Sequence, residues 1–518
     1  MAALVHEFIS SAVQRFGTAI ALIDEAGSLS YNELWERSQR LAGALIGLGV
    51  EPGDRVAALM NNRNEWVEAD LATSMIGAIR GRLNARDGER EYAWTINDLQ
   101  PKVIVTGPEF APTMDRLRAA RQIAPLEILV VGPGGTYEQA LARSDPIEPR
   151  RFDDSEPYLV LHTSGTTGNY KGAVYSHRAW VNAYRNILAL LMDDVGSQSS
   201  FMHVGPMSHQ SGILIGPALF RGARSVMVAQ TDPAHVLEVI ATKQITHTIL
   251  APTIISALVN HPDRSTRDLT SLRKILYSGS PIAPTALRRA IDAFGPIFLQ
   301  GYGSTEGGTI YNVVMYPEEH TAALAECPSR LASCGRPVPF FDVKVADDSG
   351  TPLPAGEIGE IWVRGDAVSE AYWRQPEATA DAYADGWFRM GDLAVQDAAG
   401  YITISDRKND MIISGGLNVY PREVEDVLAA HPAVREVAVI GVPHERWGEA
   451  VKACVSLAPQ AYLTLEELQA HCATNGLASY KKPLSLDILA EIPKTPVGKL
   501  SRRALREPYW LGGSRQVG

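Results

Sequence analysis

The sequence is short of cysteine, of aromatic residues, of long apolar runs and of positive charge, and each shortage excludes a class. Four cysteines in 518 residues (Cys327, Cys334, Cys454 and Cys472) are too few and too scattered for a disulfide scaffold. The six residues between Cys327 and Cys334 match no usual zinc spacing, so reduced thiols are expected. No apolar run nears the roughly 20 residues that a bilayer crossing requires. The first residues, Met1 to Phe8, lack a basic segment followed by an apolar one, so no secretory signal is expected. With 48 Lys+Arg against 59 Asp+Glu, the net charge of −11 speaks against nucleic acid or an anionic membrane as partner. Internal repeats and low-complexity tracts are missing too. The composition that remains, 45% hydrophobic and 21% charged, is that of a globular, multi-domain, cytoplasmic protein.

What is present is a repeating texture of apolar strand, polar turn and helix. Gly53 to Met60 reads as a turn entering a buried strand, Glu65 to Ile76 as a helix, and Val103 to Thr106 as a strand. Tyr158–His162 and Ile275–Tyr277 are strands that run into Gly/Ser-rich turns. Such alternation predicts an α/β architecture with mainly parallel sheets covered by helices. Near residue 400 the pattern changes. A strand at 400–405 precedes a polar, charged break at Asp406–Asp410, then a helix (422–430), two strands (436–442 and 450–457) and a helix (465–475). The expectation is a large multi-layer domain over 1–406 and a small, mobile α+β domain over 407–518. The charge divides at the same place: 14 Lys+Arg against 12 Asp+Glu in 407–518, leaving 34 against 47 before it.

One loop carries chemistry by composition alone. Thr163-Ser-Gly-Thr-Thr-Gly-Asn-Tyr-Lys-Gly172 follows an apolar strand, and its three glycines let backbone N–H groups converge on an anion. Thr163, Ser164, Thr166, Thr167 and Lys171 add donors and charge around Gly165 and Gly168. It is not a Walker A loop, because Tyr170 precedes the lysine and Gly172 follows it. The loop resembles the signature of the adenylate-forming superfamily, which includes acyl-CoA synthetases. There it grips the β and γ phosphates of ATP. The family commonly has proline before the lysine, and this chain has Tyr170.

Five further segments, in chain order, carry the same resemblance. Gln300-Gly-Tyr-Gly-Ser-Thr-Glu306 offers Tyr302 as a flat face for a purine between Gly301 and Gly303. Thr305 is a donor for the α-phosphate, and Glu306 a hard oxygen ligand for Mg²⁺. Gly279 and Ser280 resemble the adenine-pocket lining. Asp392, in Trp387-Phe-Arg-Met-Gly-Asp392, is an acceptor suited to the ribose diol, and Arg407 resembles the ribose-side arginine. Asn409 falls where the family's small domain swings, although Asp or Lys is usual there. Gly415 and Gly416 fall where the coenzyme A channel runs. Lys499, in Pro493-Lys-Thr-Pro-Val-Gly-Lys499, resembles the catalytic lysine that neutralises charge on the carboxylate and α-phosphate. Weaker matches are 29–34, 83–86 and Pro206–Gly212, where His209 stands at the gate between the carboxylate site and the thiol tunnel.

The resemblance implies an AMP-forming acid–thiol ligase using ATP and Mg²⁺, with coenzyme A as substrate. Gln210 stands where amino-acid-activating relatives place an acidic residue, and a buried ammonium without a counter-charge is costly. A non-amino carboxylic acid is therefore expected, in a pocket containing His209, Gln210, Gly301, Gly307 and Gly308. No carrier domain is expected after residue 518, so free coenzyme A is the expected acceptor, and a separate carrier protein is the alternative. A luciferase-like oxygenase and a non-catalytic nucleotide-binding relative are readings from other classes. The sequence leaves monomer and homodimer equally open.

Overall fold

The computed structural model describes residues 4–163, 170–280, 282–308, 311–495 and 500–510. Two compact units divide the chain: 1–343 with 363–388, and 344–362 with 389–518.

In the first unit, the described residues build a nine-stranded and a seven-stranded sheet. The seven-stranded sheet runs, from edge to edge, Ala371–Tyr372, Lys171–Ser176, Pro157–Thr163, Ile79–Arg82, Arg55–Leu59, Val103–Thr106 and Glu127–Val130. Its last five strands pair in parallel, and the two at the other edge pair antiparallel. Val103–Thr106 is buried at every position, as a strand covered on both faces must be. Apolar side chains of the Val5–Phe16, Tyr31–Gly47, Glu65–Ile76 and Gln210–Phe220 helices share one core with strands of both sheets, which gives the layered α/β architecture.

Local chemistry starts these elements. Ser30 and Glu33 form a capping box, Ser30 Oγ accepting from the Glu33 N–H at 3.2 Å and Glu33 Oε2 from the Ser30 N–H at 2.7 Å. The 29–34 motif is thus the start of a helix. Strand Lys274–Tyr277 ends where Gly279 turns the chain at φ +85°.

In the second unit, Val434–His444 and Gly448–Leu457 form a long antiparallel pair, extended by Ile412–Ser414, Leu417–Val419 and, in parallel, Ser485–Ile488. Helices Pro421–Ala429 and Leu465–Thr474 share a core with these strands. One local expectation is corrected. The Ile402–Arg407 strand continues through Asp406, whose side chain is buried, so Asp406 belongs to the strand and not to a polar break. Its carboxylate accepts the backbone N–H of Arg422 at 2.8 Å, in the first turn of the Pro421–Ala429 helix, and faces Arg502 at 3.4 Å. Partners distant in sequence compensate what local polarity suggested.

Candidate functional site

Strand alternation aims the first group of side chains. Thr163 and Lys171 are directly opposite in the antiparallel pair, so both point to one face of the seven-stranded sheet. Thr163 Oγ1 donates to Glu306 Oε1 at 3.0 Å. The Tyr372 hydroxyl donates to the same oxygen at 3.2 Å, and Lys171 Nζ lies 4.9 Å from the centre of the Tyr372 ring. Burial and the neighbouring Glu306 charge push the Tyr372 hydroxyl well above its usual pKa, so it stays a donor.

The 300–308 segment leaves the carboxyl end of the Phe298–Tyr302 strand and is tied at several points. The buried Tyr175 hydroxyl donates to the Thr305 carbonyl, Ser369 N–H donates to the Glu306 carbonyl at 2.9 Å, and Ser304 Oγ accepts from Gly307 N–H at 2.9 Å. Asn312 Nδ2 donates to the Gly307 carbonyl at 2.6 Å. Two glycines here make room for the protein's own rings. A Cβ on Gly301 would stand 2.0 Å from the Tyr311 ring, and one on Gly308 (φ +119°) 2.8 Å from Phe341. Tyr302 closes the strand opposite Val313, with Gly303 next to it.

A second group sits after two other parallel strands. His209 precedes the first turn of the Gln210–Phe220 helix, its Nδ1 is 2.9 Å from Ser208 Oγ, and Gln210 Nε2 donates to Ser278 Oγ at 3.1 Å, beside Gly279 and Ser280. Residues placed outside the carboxyl ends of parallel strands occupy the usual ligand crevice of such sheets.

In the second unit, Asp392 and Arg407 face each other across antiparallel strands, with Arg407 Nε 3.7 Å from Asp392 Oδ1. Arg407 is half exposed, and such a pair contributes only about 0–1 kcal/mol, so little is lost when a ligand displaces it. Asn409 lies in the turn closed by Asp410 N–H donating to the Arg407 carbonyl at 2.9 Å, and its backbone is not in the left-handed region. Gly415 and Gly416, at φ +60° and +81°, form the two-residue turn joining Ile412–Ser414 to Leu417–Val419. Both turn positions need positive φ, and a Cβ at Gly415 would meet Trp447 only at 3.8 Å. Backbone conformation, not crowding, therefore selects these glycines. Ser164, Gly165, Thr166, Thr167, Gly168 and Lys499 lie outside the described residues.

Tyr372, Tyr175 and Ser369 were invisible as site residues in the sequence. Each acts through a contact more than 60 positions away along the chain, and no local pattern marks it.

The sequence profile of the AMP-binding enzyme family matches residues 9–373, and that of its C-terminal domain residues 423–499. The chain belongs to the AMP-binding enzyme family. It is 37% identical over 503 residues to a feruloyl-CoA synthase of an Amycolatopsis species, covering 96% of both chains. It is 33% identical over 507 residues to a medium/long-chain-fatty-acid–CoA ligase of Mycobacterium tuberculosis, covering 95% of this chain and 87% of the relative. Among solved structures, the amide bond synthetase McbA of Marinactinospora thermotolerans superposes with a TM-score of 0.87 at 30% identity, over 98% of this chain and 100% of that one. The enzyme is an AMP-forming acid–thiol ligase: it makes an acyl-adenylate from a carboxylic acid and ATP, then transfers the acyl group to coenzyme A. Its Mg²⁺ calls for hard oxygen donors, and Glu306 fits: two hydroxyls donate to one carboxyl oxygen and orient the group. Among the described residues no helix is long and apolar enough to cross a membrane.

Proposed function

We propose that the residues aligned on Glu306 form the ATP half of the site and that the acid is a non-amino carboxylic acid. In this reading Thr163, Lys171 and the residues between them receive the β and γ phosphates. Gly279, Ser280, Gly301, Tyr302 and Gly303 receive the adenine, and Asp392 with Arg407 the ribose. Glu306 holds Mg²⁺, which supplies charge neutralisation on the phosphate oxygens. The observation that carries this assignment is the convergence of Thr163, Tyr372 and, through the Tyr372 ring, Lys171 on Glu306, across 143 residues of chain.

The two steps follow from charge. A carboxylate oxygen attacks the α-phosphorus as the bond to the departing pyrophosphate breaks; Thr305 and Lys499 meet the negative charge that builds on the α-phosphate. The thiol sulfur then attacks the acyl carbonyl, its proton is lost, and AMP leaves. Residues 407–518 act as the moving domain, turning about Asn409. His209 gates the thiol path, which Gly415 and Gly416 border. Gln210 offers an amide and no carboxylate to the acyl group, which supports an acid without an ammonium; His209, Gly301, Gly307 and Gly308 complete the acyl pocket. Cytoplasmic location accompanies this reading, since ATP and coenzyme A are intracellular substrates.

A carrier protein as a further acceptor beside coenzyme A is the second reading, supported by 32% identity to a fatty acid–[acyl-carrier-protein] ligase of Streptomyces coeruleorubidus. The deciding experiment is pyrophosphate release screened over aromatic, indolic, fatty and amino acids, with and without coenzyme A. The expected result is release with at least one non-amino acid and thioester only when coenzyme A is present. Release confined to amino acids, or acyl transfer only to carrier protein, overturns the corresponding part.

A further inference from the structure

We propose that Trp94 is a positioning residue that packs on His162 of the 157–163 strand and on Tyr170, the residue leading into the 171–176 strand, holding Thr163 and Lys171 toward Glu306. This rests on the reading of that hairpin as the phosphate site of ATP.

The argument starts from alternation. Thr163 and Lys171 face Glu306 and Tyr372, so His162, next to Thr163 in its strand, turns to the opposite face, and Tyr170, just before the second strand, packs on the same indole as His162. Both rings there meet one indole. The Trp94 ring lies 5.9 Å from that of His162, edge to face at 84°, and 5.5 Å from that of Tyr170, tilted at 35°. Trp94 therefore contacts His162 in the first strand and Tyr170 immediately before the second. Asp98, one turn further along the Glu89–Leu99 helix and on the same face, accepts from His162 Nε2–H at 2.8 Å. Opposite His162 stands Gly172, where a Cβ would fall 3.1 Å from His162 Nε2 and 2.6 Å from Val160 Cγ1; the glycine keeps the space the imidazole needs.

The same helix is tied to the second strand again through Trp373. Its Nε1–H donates to the Asp98 carbonyl at 3.2 Å, and its backbone N–H donates to the Gly172 carbonyl at 2.7 Å. Gln375 Nε2 donates to the Tyr170 carbonyl at 3.3 Å. A proline at position 170 would restrain the backbone from within, by fixing φ at about −65°. This chain restrains it from outside, by packing a ring on Trp94. Thr163 and Lys171 must be held to within a fraction of an ångström to meet the phosphates productively, and a clamp on the reverse face does this without occupying the site.

The test uses the full-length enzyme with Trp94→Ala, Trp94→Phe and the double variant Trp94→Ala/Tyr170→Pro. Trp94→Ala is expected to raise KM for ATP about tenfold while KM for acid and coenzyme A move less than about twofold. Calorimetric affinity for a non-hydrolysable ATP analogue falls in parallel, and thioester formation from supplied acyl-adenylate is unchanged, because that step uses no β or γ phosphate. Trp94→Phe regains most of the ATP affinity, and the double variant regains part of it. An unchanged ATP affinity in Trp94→Ala overturns the proposal. So does an equal loss for all three substrates, or the absence of recovery in both rescue variants. Lys171→Ala separates the two levels: if it leaves ATP affinity intact the phosphate-site reading fails, whereas weakened binding there with normal binding in Trp94→Ala sinks the clamp alone.

Discussion

At the scale of single residues, the site is a set of donors arranged around acceptors. Glu306 Oε1 receives hydroxyls from Thr163 and Tyr372, and removing one of two such bonds costs about 1 kcal/mol. Tyr372→Phe is therefore expected to raise the Mg²⁺ concentration for half-maximal activity about fivefold. An unchanged Mg²⁺ titration would show that the hydroxyl has no part in orienting Glu306. Lys499→Ala should abolish adenylate formation and spare thioester formation from supplied acyl-adenylate; single-turnover measurements showing equal loss in both steps would remove Lys499 from its role. Glu306, Asp392, Arg407 and Lys499 could be proposed from the sequence because a short motif holds each of them. Tyr372 could not, because its motif-free surroundings say nothing about an acceptor 66 positions away.

At the scale of elements, the strand ending in Asp406-Arg407 shows how tertiary contacts alter local expectation. The buried Asp406 shares the Arg502 guanidinium with Glu425 and Asp410, and Arg502 stays cationic among the three carboxylates. Burial raises the pKa of Asp406 to about 6 although Arg502 and two backbone N–H groups oppose the shift. The folded state thus binds the Asp406 proton more tightly than the unfolded chain does. The stabilising contribution is complete below the unfolded value near 4 and is lost as pH rises through 6, an effect of about 3 kcal/mol. Asp406→Asn removes this titration. The melting temperature of the wild type minus that of Asp406→Asn is expected to be largest near pH 4 and to fall between pH 4 and 6; a difference constant over that range refutes the shift. The elements themselves were largely readable. The Glu65–Ile76 helix and the Val103–Thr106 strand have the bounds read from the sequence, although the helix is buried on every side, Glu65, Glu68, Thr73 and Ser74 included, and not only along an apolar stripe. Strand order was not, because which strands pair depends on partners far apart in sequence.

At the scale of the whole molecule, the proposed function has residues 407–518 take two positions, one for each step. Asn409→Pro should permit adenylate formation and block transfer, since proline fixes its own φ and restricts Lys408 before it. The check is pyrophosphate release against thioester yield, and a joint fall of both would remove Asn409 as the pivot. The uneven charge belongs to this scale as well: residues 407–518 carry 14 basic against 12 acidic side chains, while 1–406 carry 34 against 47. Most of the 48 basic residues lie in 1–406, and near the end of the chain Lys494 pairs with Glu436, Arg502 with Asp406, Asp410 and Glu425, and Arg506 with Asp410. By itself the sequence determined the α/β class, the family and the reaction type, because glycine loops and acceptor residues for nucleotides are local in chain order. Only the tertiary structure decided which side chains meet: that Tyr372 reaches Glu306, that one indole spans His162 and Tyr170, and that the space beside Gly301 belongs to Tyr311. The physical reason is that hydrogen bonds and packing act over a few ångströms of space, whatever the distance along the chain.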